Sequence, residues 1–103
     1  DRVFLPAEQA YCDDKAQPWL YYSGRFAVKE AVAKAFGTGI GPSLGWLDIE
    51  VVKDSATGAP SVRLSDHGLE LARSMHVGCT HISLSHTHNF SIAQAILEAD
   101  GQP

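Results

Sequence analysis

The sequence predicts an α+β fold, a mostly antiparallel sheet packed with one long central helix. Three observations carry this. Residues 23–36 form an Ala-rich stretch with helical periodicity. Residues 46–64 and 79–97 each alternate like a strand, turn, and alternate again. A capped helical segment lies between those two hairpins. With 103 residues, the chain reads as a single domain spanning 1–103.

The elements follow in order. Pro6, Ala7 and Glu8 make a helix start, because Pro is tolerated in a first turn and Glu suits the positive helix end. A short helix to about Cys12 follows, and Asp13 to Pro18 breaks it. The long helix is read from Ser23 to Phe36, with Ser23 or Gly24 as its cap. Val28, Ala31, Val32 and Ala35 form its apolar band. Gly37 ends it in a left-handed conformation, and a loop of small residues runs to Pro42.

In Trp46 to Lys53, Leu47, Ile49 and Val51 alternate with Asp48 and Glu50, the pattern of a half-buried strand. Asp54 to Gly58 turns the chain and Ala59 to Leu64 returns it. Ser65 caps a helix running to about Met75. Cys79 to His86 alternates again, with Ile82 and Leu84 on one side. Residues 87–89 form a turn, and Phe90 to Leu97 is the last strand.

Charge narrows the function classes. The net charge of -4 argues against a general nucleic-acid binder, which carries a clustered basic surplus. Between Ala16 and Ile40 the charged residues are Arg25, Lys29, Glu30 and Lys34, three cations against one anion. That local basic patch suits phosphates or an acidic partner. Cys12 and Cys79 read as free thiols in a reducing compartment. No apolar run approaches the roughly 20 residues of a membrane span.

Several groups could carry chemistry. Glu30 and Lys34 stand four apart, one helical turn. Spacing alone makes them a surface pair worth about 0.3–0.5 kcal/mol. The other reading is that Glu30 holds Mg²⁺ while Lys34 meets substrate phosphates, and from spacing alone the surface pair is the simpler of the two. His81, His86 and His88 suggest a metal, but on a strand His81 and His86 face opposite sides. His86 and His88 share a side, and Cys79 can join His81. Either face falls short of the three or four ligands zinc takes. Local hydrogen bonds at a hairpin rim are the simpler reading. Ser83, Ser85 and His86 form no hydrolase constellation, since the Gly-x-Ser-x-Gly elbow is absent. Trp19 and Trp46 read as core or interface aromatics. Arg25, placed near a positive helix end, calls for an anion or carboxylate to hold it.

Taken together the segments resemble the holo-acyl-carrier-protein synthase family. Its signature helix has an aromatic residue, then Lys-Glu-Ala, then Lys three residues after the Ala. Phe26, Lys29, Glu30, Ala31 and Lys34 meet it, and Gly37, Thr38, Gly39, Ile40 and Gly41 follow as its loop. Asp48 to Val51 with Gly58, Ala59 and Pro60 is similar to the family's middle hairpin. His81 to Thr87 is similar to its C-terminal strand, and Phe4 to Glu8 to its first helix connection. The match runs in order from about Val3 to Glu98.

The resemblance implies transfer of 4′-phosphopantetheine from coenzyme A to a serine hydroxyl of an apo acyl carrier protein, in fatty acid and lipid biosynthesis in the cytoplasm. Glu30 is implied as the Mg²⁺ ligand and Lys34 as the phosphate contact. Arg25 and His86, with Thr87 beside it, hold the nucleotide's 3′-phosphate. Thr57, Gly58 and Pro60 meet the adenine end, and Gly37 to Gly39 approach the ligand by backbone. The family works as a homotrimer with sites between subunits. One departure stands: the family's first strand carries a Gly-x-Asp whose Asp is a second metal ligand, and no such element precedes Val3. The chain starts at Asp1 without an initiator Met, so that strand is expected in a preceding segment. The alternative is a non-catalytic coenzyme A-binding trimer of the same fold.

Overall fold

The computed structural model describes residues 2–86 and 91–99, with the side chain of His86 outside the description. The elements are α1 (Pro6–Asp13), α2 (Pro18–Ala35), a 3₁₀ turn (Trp46–Asp48), β1 (Ile49–Lys53), β2 (Pro60–Leu64), α3 (Asp66–Ser74), β3 (Val77–His86) and β4 (Ser91–Ala99). The predicted order of helix, helix, hairpin, helix, hairpin is met.

Helix α2 begins five residues before the predicted Ser23. Pro18 sits in its first turn, where a missing N–H costs nothing. The added turn is held by aromatic contacts to the N-terminal segment. Tyr22 donates to Asp13 Oδ1 at 2.8 Å, and its ring meets Phe4 edge-on at 4.8 Å. Ser23 is therefore interior rather than a cap, and its hydroxyl donates to the Leu20 carbonyl at 3.0 Å. Arg25 lies two turns inside the helix, away from the positive end where the sequence reading placed it.

Another boundary moves, at the start of β1. Trp46–Asp48 is a 3₁₀ turn rather than strand, because Asp48 accepts from the Gly45 N–H at 2.8 Å and closes the chain. Leu47 is consequently exposed. Trp46 is half-buried and stacks on Phe26 at 4.7 Å, and Trp19 is exposed, so neither tryptophan lies in the core of the chain. In α3 the Ser65 hydroxyl accepts the Gly68 N–H at 3.1 Å, the predicted cap.

The strands pair antiparallel as β1 with β2 (Ile49 opposite Leu64, Lys53 opposite Pro60) and β3 with β4 (Cys79 opposite Glu98, His86 opposite Ser91). Among the described residues these are two two-stranded sheets rather than one. A cavity of about 470 Å³, lined by Ser61, Val62 and Arg63 of β2 and by Gly78, Cys79 and Thr80 of β3, lies between them. Helix α2 crosses both hairpins. Val28, Val32, Ala33 and Phe36 bury its inner face against Leu44, Ile49, Val51 and Ala72, with Ile82 and Leu84 packed at the margin. Cys12 and Cys79 are both free thiols.

Candidate functional site

The most constrained polar group joins α1, α2 and β1. Lys29 is fully buried, and its ammonium lies 2.8 Å from Glu8 Oε1. It donates further to the carbonyls of Trp46 at 2.8 Å and Ile49 at 2.6 Å. Glu8 accepts the Leu5 N–H at 2.9 Å and the Val51 N–H at 2.8 Å. Every polar valence of the pair is thus directed, the condition under which a buried ion pair is tolerated. Burial pulls the Lys29 ammonium below the ordinary lysine range, and the Glu8 contact opposes that. Glu8 is therefore more than a complement to a helix end.

One turn back on the same face of α2 lies Arg25, 6% exposed. Its guanidinium carbon stacks 4.1 Å over the Tyr11 ring, and its Nε is buried without a hydrogen-bond partner. Lys15 approaches the same ring at 4.3 Å and Lys53 at 5.8 Å. Burial pushes the Tyr11 phenol up, but the hydrogen bond and charge of Lys53, with Lys15 and Arg25, outweigh it and bring the phenol below its ordinary value. Tyr11, Arg25 and Lys53 line two cavities, about 470 Å³ and 210 Å³. The smaller also takes in Gly58 and Pro60. Three cations around a cleft with an unsatisfied guanidinium N–H make a receptor for an anion.

Gly58 and Pro60 reach that cavity because the 54–58 turn is internally closed. Asp54 Oδ1 accepts the N–H groups of Ala56 at 2.7 Å and Thr57 at 3.2 Å, and Gly58 takes φ 76°. Thr57 spends its hydroxyl on the Ala59 N–H at 3.1 Å. The structure thus brings Arg25, Gly58 and Pro60 together, with Thr57 beside them. Thr87 and the side chain of His86 lie outside the described residues.

Glu30 and Lys34 occupy a different face. At about 100° per residue, Glu30 stands about 140° and Lys34 about 180° around the helix from Arg25. Glu30 is half-buried and Lys34 exposed. Neither forms an ion pair among the described residues. A half-buried carboxylate free of protein cations suits Mg²⁺, which takes one or two carboxylates and completes its shell with water and phosphate oxygens. Gly37 and Gly39 follow with φ 81° and 62°. The Gly39 N–H folds back to the Ala33 carbonyl at 3.1 Å. A Cβ at either glycine meets nothing within 4 Å, so the backbone there is open to approach.

Lys29, Glu8, Tyr11 and Lys53 were not singled out as site residues from the sequence, although a signal existed. Glu8 and Tyr11 are three apart on a helix, Arg25 and Lys29 four apart, and Val51 and Lys53 two apart on a strand. Each pair shares a face, and the three faces converge. Only the packing of α1 on α2 and β1 shows that they do.

The 4′-phosphopantetheinyl transferase superfamily matches residues 1–98. A holo-[acyl-carrier-protein] synthase of Geobacter metallireducens is 44% identical over 98 residues, covering 95% of this chain and 77% of that protein. The Helicobacter pylori holo-[acyl-carrier-protein] synthase, solved in complex with coenzyme A, superposes with a TM-score of 0.80 at 34% identity, covering 94% of this chain and 78% of the other. The Neisseria meningitidis synthase superposes at 0.87 with 27% identity, over 94% and 77%. Sequence and architecture agree along nearly the whole chain, and the chain belongs to the 4′-phosphopantetheinyl transferase superfamily.

Proposed function

We propose that this chain transfers 4′-phosphopantetheine from coenzyme A to a serine hydroxyl of an apo acyl carrier protein. The observation that carries the reading is the pair of phosphate-ready faces on α2, in a chain 44% identical to a holo-[acyl-carrier-protein] synthase. The serine oxygen forms a bond to the phosphorus that bears the pantetheine arm. The bond from that phosphorus to the bridging oxygen breaks, and 3′,5′-ADP leaves. The nucleophile belongs to the carrier protein.

Each face has a separate task. Arg25, with Lys53 beside it, binds the 3′-phosphate in the cleft over Tyr11. Thr57, Gly58 and Pro60 shape the adenine end, and His86 and Thr87 close on the nucleotide. Glu30 and Lys34 meet the pyrophosphate at the other face. Gly37 and Gly39 let the backbone approach it. Glu30 holds Mg²⁺, which when bound withdraws charge from the pyrophosphate oxygens. Lys34 adds a positive charge where the leaving oxygen becomes anionic.

The two faces point apart on one helix, so a single chain does not close them on one ligand. A homotrimer with each site shared between neighbouring copies resolves this. The outer face of β4 supports such packing, with Ile92 52% and Ile96 65% exposed. The compartment we infer is the cytoplasm. Among the described residues, no helix is long and apolar enough to cross a membrane.

The test is mass spectrometry of an apo carrier protein incubated with this protein, coenzyme A and Mg²⁺. Gain of a phosphopantetheine mass, lost in Glu30→Ala, is the expected result. No gain with several carrier proteins, while coenzyme A still binds, leaves a non-catalytic coenzyme A-binding module.

A further inference from the structure

We propose that Tyr11 is a positioning residue for the nucleotide's 3′-phosphate, its ring gathering Arg25, Lys15 and Lys53 at the cleft while leaving their charge unspent. The proposal rests on the reading that Arg25 binds that phosphate. Helix register brings the ring there. Glu8 and Tyr11 are three apart on α1, and Arg25 and Lys29 four apart on α2. The buried Glu8–Lys29 pair therefore sets Tyr11 against Arg25, one turn away. The Arg25 guanidinium carbon lies 4.1 Å over the ring centroid, Lys15 Nζ 4.3 Å and Lys53 Nζ 5.8 Å. Tyr21, one turn before Arg25, meets the ring edge-on at 6.0 Å and braces it.

An aromatic anchor decides what the cations can do. Among the described residues no carboxylate pairs with Arg25, Lys15 or Lys53. A carboxylate at this place would gather the same cations, but it would neutralise them and compete with an anionic ligand. A ring face attracts a cation through its quadrupole and takes up no N–H donor. Arg25 stacked in this way keeps its in-plane N–H groups for a ligand, and its Nε is buried without a partner. The side chain is only 6% exposed, so burial and stacking together hold the guanidinium in one orientation. A phosphate monoester carries a charge of about −1.5 to −2 near neutral pH. Each phosphorus of the pyrophosphate is bonded on both sides and carries less. Three uncompensated cations on one ring therefore select the 3′-phosphate, and Tyr11 sets specificity by holding them there.

The test is calorimetric titration of 3′,5′-ADP and of 5′-AMP, which differ only in the 3′-phosphate, into the full chain without Mg²⁺. The parent is expected to prefer 3′,5′-ADP by about 10- to 100-fold. Tyr11→Leu lowers that preference about 3- to 10-fold and leaves the affinity for 5′-AMP unchanged. Tyr11→Phe keeps the ring and holds the preference within about twofold of the parent. In an Arg25→Ala background, Tyr11→Leu costs less than in the parent. Tyr11→Met is the second variant without a ring, used if circular dichroism shows that Tyr11→Leu loses the fold. A preference intact without the ring, or lost as fully in Tyr11→Phe, overturns the proposal. So does an equal fall in affinity for 5′-AMP, or a Tyr11→Leu cost unchanged by Arg25→Ala. Those outcomes leave the phosphate assignment of Arg25 standing. A parent with no preference removes that assignment, and this proposal with it.

Discussion

Lys29 Nζ and Glu8 Oε1 sit 2.8 Å apart with both side chains fully buried, and this pair fixes the helix that carries the candidate site. The ammonium also binds the carbonyls of Trp46, which opens the 3₁₀ turn, and of Ile49, which follows it, and the carboxylate binds the N–H of Leu5 just before α1 and that of Val51 in β1. Breaking such a pair strands a charge. Glu8→Leu or Lys29→Met is expected to cost about 3–5 kcal/mol in urea denaturation. The Glu8→Leu/Lys29→Met double variant should cost less than the sum of the singles.

The same burial sets a pH dependence. Folded Lys29 has its pKa below the ordinary value of 10.5. Between the folded value and 10.5 the unfolded chain binds more protons than the folded one at this site. Stability attributable to Lys29 therefore rises with pH through that window, as the cost of burying the charge is relieved. Denaturation of the parent and of Lys29→Met across the alkaline range should show the parent gaining relative to the variant. A relative loss contradicts the assignment.

Two tyrosines should titrate on either side of the ordinary phenol. Burial, followed by the hydrogen bond to Asp13 and its charge, pushes Tyr22 up to about 12. The cations around Tyr11 hold it below 10.0. Ultraviolet titration should lose its highest step in Tyr22→Phe. Coenzyme A in the cleft places phosphate against Lys53 and Arg25, so it should move the Tyr11 step upward.

Arg25 is assigned to the 3′-phosphate, and dephospho-coenzyme A lacks that group. Arg25→Ala should raise KM for coenzyme A by about 10- to 100-fold, the worth of a charge-assisted hydrogen bond. With dephospho-coenzyme A the parent and the variant should differ little. An equal penalty with both substrates places Arg25 elsewhere.

Much of this was legible in the sequence where spacing reports a face. The band of Val28 and Val32, the Ser65 cap, the alternation of Ile82 and Leu84 and the Gly37 stop depend on neighbours a few residues away. The start of α2 was missed because Ser23-Gly24 looks like a cap locally, while contacts of Tyr22 to Phe4 and Asp13 decide the issue. Glu8 was read as a dipole partner because nothing within one turn of it reveals Lys29, 21 residues on. Glu30 and Lys34 stood out by pattern, and Tyr11 and Lys53 did not, because their convergence on Arg25 is a product of packing three elements.

Mixing two impaired variants tests directly whether the opposed faces of α2 serve one shared site. Arg25→Ala and Glu30→Ala proteins, the first slowed about 10- to 100-fold at limiting coenzyme A and the second without transfer activity, are denatured together in equal amounts and refolded. If each site takes Arg25 from one copy and Glu30 from its neighbour, random assembly restores both residues in about one quarter of the sites, the product of two even chances. Transfer near a quarter of the parent's rate, well above that of either variant refolded alone, is the predicted result. Transfer from the mixture no higher than the mean of the two variants refolded alone, with trimers present, shows that both residues act within one chain and contradicts the shared site.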